Sequence, residues 1–518
     1  MLRHLLIPLL TSATIAQPIL GPDEPASSFI ARWNEWVNET DPDQQLLADL
    51  QATNDAIWEA QRAVAERYGV YSSLDDIAAP GNWPAAQATA EAIAPHTARL
   101  RELLARPHLA FPFPGPEVEA ARRAERDADF KENPPEDDSI VWDRGPMPAN
   151  QREMYLIDTG LTFEVRSAVS QLRLETNYAI HTGNLGLAID NTVAYLEAAR
   201  LQLERHTLMS AFDVDSTERT AVSSIESILA RHGRRLRDGA LERVQTAMLD
   251  HAARRRGHAG SLTLEHRVFA EVLPTWFDPV QPDRLTDRGR EFLDAMSIAG
   301  AEPNWLDPDF HFSLRTRPSF EGSLAPASEQ IRVFNAINAA YARDTATPWH
   351  AREDLESAQL FKAMVEADPQ GRLAPALDRF AFYDYFIWID LRNETNFRAA
   401  LTMLAVHRHR ARTGQWPESL AAIDPEVMRF DPIDPHSGEP FGYAVIDDQP
   451  TLWSAGPDRD NDDGRPIPEP AETRGAFEPG PLRPTVSWFT LNEWNALPPE
   501  VQAEYDGDIP LFPPPAGR

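Results

Sequence analysis

Cysteine is absent from the 518 residues. That excludes disulfides, thiolate-bound metal, a cysteine nucleophile and a lipid-modified cysteine. Positive charge is scarce: 49 Lys and Arg stand against 80 Asp and Glu, a net charge of −31. Nucleic acids and anionic lipid surfaces carry the same sign as the chain, so neither is an expected partner. Beyond the first residues no apolar run approaches the roughly 20 residues a membrane helix needs, so no integral span is expected in the mature chain. No G-x-S-x-G, H-E-x-x-H or phosphate-loop pattern occurs, so no catalytic or cofactor-binding residue is assigned.

What is present is globular. Hydrophobic residues make up 42%, enough to build packed cores, and the length suits about two to four domains. The start is short and weakly basic (Arg3, His4), then apolar over residues 5–15, and ends on the small residues around Ala16. This pattern predicts a signal peptide over 1–16 and a periplasmic or secreted protein. Residues 17–105 read as helices, with a break at Pro95. Residues 106–150 read as a Pro-rich acidic linker, because proline fixes φ and removes a donor.

Residues 151–374 read as a helical domain. Gly183 ends one helix. Asp215 and Glu218 have the spacing of a capping box for another, which Gly233 stops. Gly257 and Pro274 end two more. Helices separated by such short turns stack as antiparallel hairpins. The turn Gly183-Asn-Leu-Gly-Leu-Ala188 resembles that of a tetratricopeptide (TPR) hairpin, in which a small residue lets the second helix pack closely. No second copy follows, so a repeat scaffold and an irregular bundle both stay open. Arg234, Arg235 and Arg254 to Arg256 read as helix-end cations.

From Pro375 to Arg412 neither proline nor glycine interrupts, which predicts one long helix. Its first half is aromatic on nearly every side (Phe380, Phe382, Tyr383, Tyr385, Phe386, Trp388), so it should be buried. Its second half is striped, with Phe397, Leu401 and Leu404 inward and His407, His409 and Arg410 outward. After it come GQWPESLAAI and then DPIDPHSGEPFGYAVIDDQPTLWSAGPDRDNDDG over residues 431–464. Residues 441–446 and 451–454 read as two short antiparallel strands. Residues 466–518 read as a Pro-rich tail with a short helix near 492–505.

The run of Gly414, Trp416, Pro417 and Leu420, then Asp434, Pro435, Pro440, Phe441 and Tyr443, then Trp453, Ser454, Gly456 and Asp458 resembles the C-terminal half of type II secretion major pseudopilins. The whole layout is similar to bacterial envelope proteins that join a helical-hairpin domain to such a module. The resemblance implies a small α+β module over 375–465, a long helix against a short antiparallel sheet, in an otherwise mainly α protein. It also implies a calcium loop. Asp458, Asp460 and Asp462 place carboxylates on alternate residues of a tight loop, as hard-cation sites do, and Asp463 adds a fourth. Asp431, Asp434, Asp447 and Asp448 read as turn residues instead.

Two functions fit this reading. One is an exported, non-catalytic scaffold or binding protein of the envelope with a structural Ca²⁺ loop, linked to secretion and to an envelope partner. The other is a hydrolase of an exported substrate, with its site between the helical domain and the aromatic helix. A deep polar pocket with converging His, Asp or Glu would favour the second.

Overall fold

A computed structural model describes residues 26–40, 45–68, 83–106, 159–203, 208–255, most of 266–289, 324–368, 371–377, 383–456, 459, 461–464, 495 and 509–512. The expected signal peptide, nearly all of the linker and most of the tail, including all but Asn495 of its expected helix, lie outside these residues. So do Phe380, Phe382 and the side chains of Tyr383, Tyr385, Phe386 and Trp388. The protein is mainly helical with one small antiparallel sheet. No helix of the described residues is long and apolar enough to cross a membrane.

The N-terminal helices are α1 (Ala26–Thr40), α2 (Gln45–Tyr68) and α3 (Trp83–Leu104). Helix α2 buries Leu46, Leu50 and Ile57, a helical stripe. Helix α3 runs through Pro95 without the expected break. Ile93, Thr97 and Leu100 are fully buried on either side of the proline. Their burial against α2 and the helices that follow offsets the one backbone bond that proline forfeits.

Next come α4 (Thr159–Thr182), α5 (Leu185–Leu203), α6 (Leu208–His232) and α7 (Asp238–Ala252). Gly183 ends α4 at φ 73°. Asn184 N–H donates to Ala179 O and Gly183 N–H to Ile180 O, the two bonds of a Schellman cap. Asn184 then caps α5 through its side chain to Leu187 N–H. Ala188, fully buried, lets α5 close onto the bundle. Glu175 sits at the joint with α3. It accepts from Thr97 Oγ1 at 2.7 Å, Arg101 at 2.7 Å and Asn191 at 2.9 Å.

The expected cap at Asp215 is corrected. Helix α6 begins at Leu208, so Asp215 and Glu218 lie in its interior, 4% and 2% exposed. Their spacing fits a cap but also fits one helix face, and here the bundle uses the face. Glu218 takes His251 at 2.7 Å and Arg255 at 3.0 Å from the end of α7. Gly233 does stop α6, passing into a short 3-10 turn.

A second core is built from the turn Leu273–Trp276, α8 (Ala327–Ala346), α9 (Glu356–Ala367) and α10 (Ala374–Leu377). It is centred on Trp276, Phe334 and Trp349 and is a separate cluster from that of the bundle. Helix α11 (Tyr383–Thr413) belongs to both: Ile387 and Leu391 enter the second core, while Phe397 to Val406 enter the first.

The striped second half of α11 is also corrected. Residues 399–408 are all buried, with His407 at 4% and Arg408 at 0% exposed. This stretch is packed on one side by α6 and α7 and on the other by the sheet, and solvent is reached only farther along the helix, as at Arg398 and Ala411 to Thr413. Gly414 closes it at φ 81°. A short helix α12 (Pro425–Met428), capped by Asp424, leads to β1 (Gly442–Ile446) and β2 (Gln449–Ser454). The sheet has three strands rather than two. The tail returns as β3 (Ile509–Phe512), antiparallel to β2, which becomes the centre. Ile509, Leu511 and Phe512 are buried against the first core. Pro510 is tolerated because β3 is an edge strand.

Candidate functional site

The turns around the sheet position the site. Asp447 and Asp448, at φ 50° and 60°, make the two-residue β1–β2 hairpin. Both central residues of such a turn need positive φ, which aspartate tolerates. Asp448 also accepts from Trp416 Nε1 at 3.1 Å and from Arg234 at 2.7 Å, so the hairpin tip is tied to the end of α6.

Asp434 is 1% exposed. Its carboxylate accepts from Ser454 Oγ at 2.9 Å, from Ala455 N–H at 2.9 Å and from His436 N–H at 3.1 Å. One buried carboxylate thus joins the turn before β1 to the end of β2. A carboxylate accepting several N–H and O–H donors is strongly held. Burial lowers the pKa of neighbouring His436, which is fully enclosed.

The acidic loop leaves β2 from this seat. Its backbone turns through left-handed Gly456, Arg459, Asp463 and Gly464. Asn461 is its pin: Oδ1 accepts Trp453 Nε1 at 2.9 Å and Asp463 N–H at 3.1 Å. The Trp453 indole lies over Gly442, where a Cβ would fall 2.0 Å from Nε1, so glycine is required there. Of the four expected ligands, Asp462 is half-buried and Asp463 exposed, while Asp458 and Asp460 lie outside the described residues. Among the described residues no three His, Asp or Glu side chains gather as a metal site.

The loop's own cation points elsewhere. Arg459 donates to His350 O at 3.0 Å and Arg352 O at 3.2 Å, both in the second core's turn. Among the described residues its guanidinium makes no hydrogen bond to Asp462 or Asp463. The donor chemistry fits a hard cation, since carboxylate oxygens are what Ca²⁺ takes. Asn461 Oδ1 is engaged by two donors and is a frame atom. Sequence reasoning passed over Asn461, Arg459 and His350. The aspartates around Asn461 and Arg459 masked them, and His350 lies 109 residues from Arg459.

Two other groups meet chemical criteria in part. Glu218 and His251 form a buried carboxylate–imidazole pair. Burial alone would raise the Glu218 carboxyl, but Arg255 and His251 hold it below its ordinary value. Arg255 reaches on to Glu394, and Arg398 pairs with Glu394 at 2.5 Å. His251 Nδ1 has no hydrogen-bond partner among the described residues, so nothing there supplies a nucleophile for it. The pair joins α6, α7 and α11. A small cavity elsewhere in the bundle is lined by Ile189, Ile225, Leu229, Leu241, Val244 and Leu404, all apolar. It has room for about one water and offers that water no partner.

His407 was expected at the surface. It is instead wedged between Gly233, Trp416 and Phe512, its ring centroid 5.0 Å and 6.0 Å from the two aromatic rings. A Cβ on Gly233 would stand 2.3 Å from the imidazole, so this glycine is set by close approach. Neither ring nitrogen has a hydrogen-bond partner among the described residues. Burial holds the pKa down at about 4, opposed by the Gly233 backbone and helped by the nearby charge of Arg410.

No family model, no curated protein and no solved structure matches the chain.

Proposed function

We propose that this chain is an exported protein of the bacterial envelope, periplasmic or secreted, that works as a non-catalytic scaffold or binding protein. Its helical bundle is the TPR-like binding body. Its C-terminal module is pseudopilin-like, carries a structural Ca²⁺ loop and links the protein to secretion. The observation that carries this reading is the frame of the acidic loop. Trp453 and Asn461 pin the loop, Asn461 taking the Asp463 N–H, Asp434 anchors its root, and Arg459 reaches from it to the carbonyls of His350 and Arg352. Carboxylates crowded into one turn repel unless a cation sits among them. When bound, calcium would supply that charge to the side chains of Asp458, Asp460, Asp462 and Asp463.

The test is a thermal melt of the full chain with calcium, with magnesium and with chelator, repeated on Asp460→Ala/Asp462→Ala. At about ten times the dissociation constant, calcium should add about 1.4 kcal/mol. Magnesium should do less, because it dehydrates reluctantly. A melting temperature indifferent to calcium in the unmutated protein would reduce the loop to a solvated acidic turn. Intact mass of protein from the native envelope should show a chain beginning near Gln17.

A further inference from the structure

We infer that the end of the bundle where α4 and α6 finish is a docking face for an acidic segment of a partner protein. The inference rests on the reading of the bundle as a binding body and names the chemistry of what it binds. The two helices stop side by side. Arg231, in the last turn of α6, donates to His181 Nδ1 at 3.1 Å, and His232 Nε2 lies 2.8 Å from Ile180 O. Arg235 reaches the turn between α4 and α5, where a Cβ on Gly183 would stand 3.8 Å from its guanidinium. The last turns of α11 join them, because Gly233 stands against His407, and Arg234 and Trp416 share Asp448. Trp416 in turn carries the Arg410 guanidinium 4.4 Å from its ring centre. The carboxylates here are already engaged, Asp448 by Arg234 and Asp238 by Arg408 and Arg412. Among the described residues Arg231, Arg235, Arg237 and Arg410 have no carboxylate partner, and the first three are exposed. Helix dipoles do not balance them: three helix C-termini carry about −1.5 charges together, against four guanidiniums. Arg231 is held in place by a neutral ring. Desolvation, then the charges of Arg231 and His232, lowers the His181 pKa, so the imidazole orients the guanidinium without cancelling its charge. Beside them the half-buried Trp83 lies 5.4 Å from the Tyr178 ring and 5.9 Å from His181. Arginine flanking tryptophan and tyrosine is the residue chemistry of interface hot spots. Guanidinium forks match carboxylates, and the aromatics favour a peptide over a free anion, since its apolar side chains can cover them. The net charge of −31 does not forbid this partner. Exposed charges farther away than about 8 Å are largely screened at physiological ionic strength, so the local cluster decides at contact.

The test is fluorescence anisotropy of the full chain with a fluorescein-labelled peptide of glutamates interrupted by leucine and phenylalanine. Arg231→Glu/Arg235→Glu is compared with Arg166→Glu/Arg254→Glu, an equal charge change at exposed positions on the far ends of α4 and α7. Wild type and the far-end variant should bind alike, and Arg231→Glu/Arg235→Glu should bind about tenfold more weakly. The same peptide with glutamine for glutamate should not bind. Equal binding by all three proteins, or none by any, overturns the docking face. Binding of inorganic phosphate or phosphatidylglycerol vesicles in place of the peptide, lost in Arg231→Glu/Arg235→Glu, overturns the acidic protein as occupant. Self-association of wild type that this variant lacks, read by sedimentation, gives the face to a second copy and overturns it too. Cross-linking in the native envelope separates the two readings. A partner joined through other residues, with no peptide bound here, overturns this face alone, whereas no partner and no peptide overturn the binding body as well.

Discussion

Arg408 and Arg459 each tie the C-terminal module to a neighbour, the first to the helical bundle and the second to the second core. Arg408 is fully buried and meets Asp238 at 2.7 Å, Glu242 at 3.0 Å and Gln245 Oε1 at 2.6 Å. Gln245 continues to Val427 O in α12. Arg412 adds a second cation to Asp238, and burial's upward push on that carboxyl is outweighed, so its pKa is lowered. Arg459 is half-buried and, among the described residues, meets two carbonyls. A buried cation among carboxylates makes a permanent joint, because parting it strands charge away from water. A cation on carbonyls at a half-wet edge can open, because water replaces those partners at little cost.

The largest effect expected from this contrast is at the first joint. Arg408→Met should cost about 3–5 kcal/mol, nearer the lower figure because Asp238 reaches solvent. Chemical denaturation measures it, and a loss under about 1 kcal/mol would erase the distinction between the joints.

Next comes acid. His407 faces Arg410, which stacks on Trp416 at 4.4 Å, and Arg408, which is turned to Asp238. Arg234 on the facing turn is held by Asp448, and Trp416 and Phe512 bring no charge. Among the described residues no carboxylate is free there to receive a protonated ring. The unfolded chain binds this proton near pH 6.5 and the folded chain only near about 4. The stabilisation is therefore complete above pH 6.5 and is lost as the pH falls to about 4. The full difference is about 3 kcal/mol. Across that window wild type should lose about 3 kcal/mol of stability relative to His407→Phe, which has no proton to bind. Parallel curves would mean that the ring finds water.

Asp434→Asn should cost about 1–3 kcal/mol, because an amide turns donors toward the Ser454 and Ala455 donors. Thermal melts measure it, and the frame of the loop should loosen with it. Arg459→Gly should be the mildest, about 0–1 kcal/mol of global stability. A loss as large as that of Arg408→Met would make the second joint permanent too.

Legibility followed range. Gly183, Gly233 and Gly414 end their helices where the sequence puts them, because a chain break at glycine is a local event. The hairpin at Asp447 and Asp448 and the structural role of Asp434 were readable for the same reason. Asp215 and Glu218 misled because one spacing serves both a cap and a helix face, and only the arrival of His251 and Arg255 chooses. The stripe on α11 misled because amphipathy assumes one wet side. His407 reads as solvent-facing until Gly233, Trp416 and Phe512 of β3 close over it.

The sequence alone determined the helical character, the places where helices stop, the hairpin and the crowding of carboxylates after β2. These depend on φ preferences, hydrogen-bond donors and charge within a few residues of one another. Tertiary structure alone decided that the tail supplies β3, that one helix serves two cores, and that Arg459 leaves its own loop for the carbonyls of His350 and Arg352. Those outcomes depend on which distant surfaces exclude water together, and no local preference of the chain encodes that.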